Sequence, residues 1–558
     1  MGIPVYFSHI IKEYNFILKK IQHLEHFDVF FLDANSIIYD VYYSLINNSN
    51  NHTINNLENK IIENTINKIN FVINLFNVEK EVVVCFDGVA PLSKLKQQRE
   101  RRFKSWIKSD ITEEQNKWNT CSITPGTQFM KKLNEQLDNY KLNYYKLNND
   151  RKEKITILDS RFNGEGEQKI FDYLKNHYPN PNQISTTMMK VNLKICIYGL
   201  DSDLIMLSLL HNNFYNSIYL YRETPEFIKN LNKNFDPNEK YLLNINSLSN
   251  CLTKTLYGTD TFHFINNNNI LSFRANINYI ILFFMVGNDF VPHHPGLSLR
   301  LNAANDLIDI YKYFLQENDL FYILNNKFYI DWNTVKIVMK ELAKKEFDNM
   351  NEYYEYKINI KNKIMKNDKI MKKKDEVLNY IPIFNNENEK FILSNKDVSS
   401  LRYYIHSFGS NYNVKDISYH YLKNLEWNFF YYLGQEECNY NYYYPYYHAP
   451  LFNDCVKYIP LKIETLYDKN IVDNKKFIHH NTQLLYILPS TYYNLIDSNI
   501  INNIELKNHY NFEILFKEPS KLILDIDHNF VKYFFESVIH FKYININLLD
   551  KQILELVK

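Results

Sequence analysis

The sequence predicts an α/β fold: a mainly parallel central sheet flanked by helices, with a second, mostly helical, aromatic-rich lobe packed on it. Three observations predict it. Short β-branched and aromatic runs alternate with segments of helical period, the pattern of parallel strands joined by helical crossovers. Several of those runs stop at an Asp or at a Gly/Pro turn, as buried strands do where the chain leaves a sheet. Finally, 558 residues exceed one average domain and allow a large core with a second lobe.

Taken in order, Val29-Phe30-Phe31-Leu32 reads as a buried strand that ends at Asp33, with Asn35 and Ser36 turning into a helix. A polar loop at 47–52 precedes a helical segment at 61–76. Residues 81–86 form a second strand ending at Asp87, followed by the turn Gly88-Val89-Ala90-Pro91. Residues 92–108 are helix-like and carry Lys94, Lys96, Arg99, Arg101, Arg102, Lys104 and Lys108 against one acid, Glu100. A turn at 123–127 leads into a helix at 129–142. A third strand-like run, 155–158, leads to Asn163-Gly164-Glu165-Gly166-Glu167, where two glycines let the backbone turn before a helix at 168–175. Residues 194–200 form a fourth strand that delivers Asp201-Ser202-Asp203 into another helix. The apolar run 279–286 then places Asp289 at a helix end. The expected domains are 1–300, a helical connector at 301–400, an aromatic helical region at 401–490 and a C-terminal segment at 491–558 of unassigned role.

Composition sets limits. Lys+Arg 64 against Asp+Glu 63 means that nucleic-acid affinity has to come from local segregation of charge. Six cysteines without CxxC spacing argue against a structural zinc site or a disulfide framework, and for a reducing compartment. No signal peptide is visible, and the longest apolar run is too short to span a bilayer, so no membrane association is expected. Met1-Gly2 is not read as a myristoylation signal, because position 6 is Tyr.

The chemistry lies in the juxtaposition of acids and bases. Asp33, Asp87 and Asp201 stand at strand ends, and functional groups of parallel sheets gather beyond those ends. With Glu165, Glu167, Asp203 and Asp289 they make seven acids for one cleft; like charges packed together need cations to neutralise them. Hard oxygen ligands point to two Mg²⁺ or Mn²⁺ ions and phosphoryl transfer. Lys94, Gln98, Arg101 and Arg102 recur at i, i+4, i+7 and i+8, hence on one helical face suited to a phosphate, although such a run also reads as a solvated surface. Residues 361–374 hold seven lysines against one aspartate, a nuclear signal, an RNA-facing patch or simply a solvated face. The tyrosines after residue 401 would stack bases or fill a core, and core is the better reading for most of them.

These residues resemble the Xrn-type 5′→3′ exoribonucleases, in family order: Met-Gly-Ile-Pro-Val-Tyr-Phe at the N-terminus, then Leu32-Asp33-Ala34-Asn35-Ser36. Phe86-Asp87-Gly88 with Lys94, Gln98, Arg101 and Arg102 follows, then Thr124-Pro125-Gly126-Thr127 and Gly164-Glu165-Gly166-Glu167. Tyr198-Gly199-Leu200-Asp201-Ser202-Asp203, Gly287-Asn288-Asp289-Phe290 and the Tyr443-Tyr444-Pro445-Tyr446 region complete the set, over roughly residues 1–455.

The resemblance implies a flap-nuclease or PIN-like core, and metal-binding catalytic carboxylates at Asp33, Asp87, Glu165, Glu167, Asp201, Asp203 and Asp289. It implies a 5′-monophosphate pocket of Lys94, Gln98, Arg101 and Arg102, and single-stranded RNA as substrate. Base stacking would fall to Tyr39, where the family has His, and to Tyr440, where it has Trp. Gln168 replaces a further His, and Tyr447-His448 inverts a His-Tyr pair. The chain reads as a minimal, monomeric, cytoplasmic form working with decapping or decay factors; the alternative locations are the nucleus or, for a viral source, the host cytoplasm. Two rival readings remain: a flap- or DNA-directed 5′ nuclease with the same metal-site logic, and a non-catalytic RNA-binding scaffold.

Overall fold

The computed structural model describes residues 2–21, 25–48, 54–111, 118–147, 152–179, 190–199, 201–231, 233–258, 268–315, 318–366, 374–435, 438–460, 465–466, 476–505, 515 and 526–557. Residues 49–52 of the polar loop and 367–373 of the lysine-rich run lie outside them. Contacts divide the chain into two units that alternate along the sequence. The first comprises Met1–Ala90, Trp118–Tyr279 and Tyr432–Gly434; the second comprises Pro91–Lys117, Ile280–Tyr431 and Gln435–Lys558. The expected span 1–300 is thus divided, its basic helix and Asp289 falling in the second unit.

The first unit is built on a seven-stranded sheet. Its strands are β1 (Leu18–Lys20), β2 (His26–Asp33), β3 (Asn77–Cys85), β4 (Lys154–Leu158), β5 (Val191–Tyr198), β6 (Tyr215–Tyr221) and β7 (Tyr241–Asn244), in the order β1-β7-β6-β5-β2-β3-β4. From β6 to β4 every pairing is parallel, while β7 runs antiparallel to both β6 and β1. Both faces of the central strands are covered, which is why Val29 to Leu32 form an unbroken apolar run. Phe30 and Leu32 face a core that includes Ile37, Ile61, Ile69, Leu133 and Leu137 from the helices Asn35–Asn48, Ile54–Ile73 and Gln128–Leu147. Phe31 points the other way, its ring 6.1 Å from Tyr173 of the helix Gly166–His177.

The order places β2 beside both β3 and β5, so the chain goes to one side of β2 first and returns on the other. The crevice at the carboxyl ends beside such a reversal is where groups from different connections meet.

The second unit is mainly helical. Residues 301–400, expected as a helical connector, are mostly helical and include a 34-residue helix, Trp332–Met365, preceded by a hairpin of β8 (Phe321–Leu324) and β9 (Lys327–Ile330). The hairpin turns on Asn325 and Asn326, at φ 50° and 60°, as a primed two-residue turn requires. The helix starts where Asp331 accepts the amides of Asn333 and Thr334, and buries Val335, Val338, Met339, Leu342, Glu346, Met350 and Tyr353 at helical spacing. Most of the aromatic region is core: Trp427 stacks on Tyr431 at 5.0 Å, Phe290 packs on both, and the Trp427 indole donates to the Asn439 carbonyl.

Candidate active site

In the first unit, β2 ends on Asp33, and Asp87 lies two residues beyond β3. Asn35, at the start of the next helix, fixes Asp87 reciprocally: its side-chain amide donates to Asp87 Oδ2 at 2.5 Å, and the Asp87 N–H donates to Asn35 Oδ1 at 3.2 Å. The loops after β3 and β4 are stitched together by Gly88 N–H to the Gly164 carbonyl and Gly164 N–H to the Val89 carbonyl, both at 2.8 Å. Gly164 holds a φ of 100°, which suits glycine. Its neighbour Glu165 then becomes the N-cap residue of the helix Gly166–His177, with Glu167 in the first turn; both are buried.

Gly166 joins these pieces. Its N–H donates to Asp87 Oδ1 at 2.7 Å. A Cβ on it would sit 2.6 Å from Asp33 Oδ1 and 3.5 Å from Asp87 Oδ1, so both carboxylates converge on a space that only glycine leaves open. Beneath them Lys169 donates to the carbonyls of Phe86 (2.6 Å) and Asp159 (3.0 Å). Burial brings its pKa down to about 8, against the pull of nearby acids.

After β5, Asp201 accepts the Ser202 N–H at 2.9 Å, and Asp203 opens the helix Asp203–His211, where the helix dipole favours an anion. Asp203 is 1% exposed, and Gly2, at φ 50°, lies so close to Asp203 and Ser202 that any side chain there would collide with them. Tyr39 is half-buried on the helix Asn35–Asn48 and packs against the core. Gln168 is buried, its amide 3.4 Å from Asp172 Oδ1.

The second unit holds Asp289 and the basic helix, Leu92–Ile111. Lys94 pairs with Asp289 at 3.0 Å, and both side chains are less than a tenth exposed. Burial alone would raise the Asp289 pKa; Lys94 and Arg101 override it and hold the carboxyl well below the usual range. Gln98 and Arg102 are half-buried, and Arg101 is exposed. Three other cations of this helix, Lys96, Arg99 and Lys104, turn inward. Lys96 bonds the Tyr446 carbonyl and lies 4.0 Å from the centre of the Tyr447 ring, burial lowering its pKa to about 8. Arg99 is sandwiched by Phe541 and Tyr486, and Lys104 donates to the Phe535 carbonyl. Tyr440 is 5% exposed, edge-on to Phe477 and Tyr431, and a base could stack on it only after the ring was uncovered.

Sequence reasoning placed the acids at the strand ends but missed the residues that aim them: Asn35, the Gly166 amide and Lys169. Their signal was present, since an Asn two residues after a strand-end Asp and a Gly between two Glu both sit inside the acidic motifs.

Fold and site define an α/β protein whose carboxylates gather at the carboxyl edge of a parallel sheet. Comparison with known proteins supplies the family. Residues 1–224 match the family model described as the XRN 5′-3′ exonuclease N-terminus, and residues 274–401 match that of the Xrn1 helical domain. The 5′-3′ exoribonuclease 1 of Schizosaccharomyces pombe is 29% identical over 370 residues, 61% of this chain and 26% of that protein. The 5′-3′ exoribonuclease 2 of Candida glabrata is 30% identical over 325 residues, 50% of this chain and 30% of that protein. The 5′-3′ exoribonuclease 1 of Saccharomyces cerevisiae is 28% identical over 338 residues, 57% of this chain and 21% of that protein. The chain belongs to the Xrn family. It covers between 21% and 30% of the length of these three relatives. No helix among the described residues is long and apolar enough to cross a membrane.

Proposed function

We propose that this chain is a metal-dependent 5′→3′ exoribonuclease that takes single-stranded RNA with a 5′-monophosphate and releases nucleoside 5′-monophosphates. The observation that carries the reading is the convergence of Asp33 and Asp87 on Gly166, at the reversal of a parallel sheet, in a chain whose relatives are named 5′-3′ exoribonucleases.

The donor set fits divalent cations. It is all carboxylate, it is partly buried, and the space at Gly166 is kept open by the absence of a Cβ. Asp33, Asp87, Glu165, Glu167, Asp201 and Asp203 of the first unit would hold the ions, Mg²⁺ or Mn²⁺; two ions, and Asp289 as a further ligand, are what the family resemblance implies. When bound, such ions supply Lewis-acid charge for attack of water on the phosphodiester.

The chain's own residues do the positioning. Asn35 and the Gly166 N–H each engage one oxygen of Asp87, leaving further lone pairs on both for a ligand. Lys94, Gln98, Arg101 and Arg102 would bind the terminal phosphate, the arginines through bidentate hydrogen bonds that a dianion accepts best. Tyr39 would offer its ring to the first base. The protein would act as a monomer on RNA ends that decapping or other decay factors expose.

Asp201→Ala with Asp203→Ala tests the assignment. Cleavage of 5′-monophosphorylated RNA in Mg²⁺ should be lost while thermal unfolding stays cooperative. Unchanged cleavage in a clean preparation would remove the carboxylates from the reaction.

A further inference from the structure

In the second unit, two imidazoles and a carboxylate from distant parts of the chain meet. His448 follows Tyr446-Tyr447; Asp527 closes the short strand β10 (Ile526–Asp527); His540 follows β11 (Val538–Ile539). One potential ligand atom from each lies within 4.8 Å of the other two. β10 and β11 pair antiparallel with Asp527 opposite Val538, so His540, two residues on, is a diagonal neighbour of Asp527 on the same face.

His448 Nε2 is 3.2 Å from Asp527 Oδ2 and buried, yet lies off the line that a hydrogen bond would need. That separation has another explanation. A tetrahedral ion with ligands at ~2.0–2.1 Å sets neighbouring ligand atoms roughly 3.3–3.4 Å apart.

The surroundings hold the three groups as an outer layer holds metal ligands. Asp527 Oδ1 accepts the Asn529 N–H at 2.8 Å, which leaves Oδ2 to the histidines, and His406 Nε2 backs the same Oδ2 at 3.5 Å. The Tyr444 hydroxyl donates to the His448 carbonyl at 2.8 Å, and the Phe541 N–H donates to the Tyr447 hydroxyl at 3.0 Å. The residues next to His448 and His540 are therefore tied to each other before any ion binds.

We propose that His448, Asp527 and His540 form a site for a transition-metal ion of the Zn²⁺ type, with water as fourth ligand, which cross-links the aromatic loop to the C-terminal hairpin. Two imidazoles and one carboxylate favour Zn²⁺ over the harder Mg²⁺. The scattered cysteines bear only on thiolate sites, and all six are buried and unbridged.

The full chain, stripped with chelator and desalted, would be titrated with Co²⁺ in excess Mg²⁺. The proposal expects one equivalent to give the intense visible absorption of four-coordinate cobalt, bleached by Zn²⁺, with Zn²⁺ also raising the thermal midpoint. His448→Ala and His540→Gln should each abolish both signals, while Asp201→Ala with Asp203→Ala should keep them. His448 packs against Phe408, so the milder His540→Gln decides the matter if His448→Ala fails to fold. Absence of the band, or a band that survives His540→Gln, would overturn the site.

Discussion

Gly166→Ala adds one methyl group where two carboxylates converge. The new Cβ would lie 2.6 Å from Asp33 Oδ1, and an unstrained contact needs roughly 3.5 Å, so the Asp33 oxygen must retreat by about 1 Å. The Asp87 oxygen, at 3.5 Å, can stay. A misplacement of ~1 Å in a catalytic constellation costs about 10²-fold in rate. The fold should tolerate the change. Gly166 opens a helix, is not among the glycines with positive φ, and alanine is the better helix former by up to ~1 kcal/mol. The assay pairs the cleavage rate on 5′-monophosphorylated RNA in Mg²⁺ with Mn²⁺ affinity measured by titration. The variant should lose about 100-fold in rate and bind Mn²⁺ more weakly, at an unchanged or higher melting temperature. A folded variant with wild-type rate and Mn²⁺ affinity would refute this expectation.

Two further outcomes follow from the second unit. Lys94→Met removes the nearest cation from buried Asp289, which should cost on the order of 3 kcal/mol in thermal unfolding and narrow the preference for 5′-monophosphorylated over 5′-triphosphorylated RNA. Glu426 is buried, and burial pushes its pKa from 4.5 up to about 7 despite hydrogen bonds from the Leu466 N–H (2.7 Å) and the Thr465 hydroxyl (3.0 Å). The folded chain keeps a proton that the unfolded chain releases, so stability should fall by on the order of 3 kcal/mol as pH rises from 4.5 to 7. Glu426→Gln should flatten that slope in denaturant melts, and an identical slope would show that another group sets it.

How much was legible depended on how local each cause was. Val29 to Leu32 and Val82 to Cys85 could be read because a parallel strand buried on both faces is apolar at every position. The acids after them were readable for the same reason, since each marks where that run stops. β6 (Tyr-Asn-Ser-Ile-Tyr-Leu-Tyr) mixes polar residues into a strand that is partly exposed, and its pattern did not announce it. The helix Trp332–Met365 hid behind Lys, Glu and Asn on its outer faces. The basic helix was the hardest. Lys96 and Lys104 are held by carbonyls of Tyr446 and Phe535, hundreds of residues away, so no local pattern could show that they turn inward while Arg101 stays exposed. Assignment of that helix and Asp289 to the second unit, apart from the other carboxylates, is likewise a matter of long-range contact.

Cleavage from a monophosphorylated 5′ end is the activity proposed for this chain. The most direct test incubates purified protein and Mg²⁺ with internally labelled RNA, 5′-monophosphorylated in one tube and 5′-triphosphorylated in the other. Only the monophosphorylated strand should be converted rapidly to mononucleotides. Equal loss of both strands, or of neither, would contradict the proposed activity.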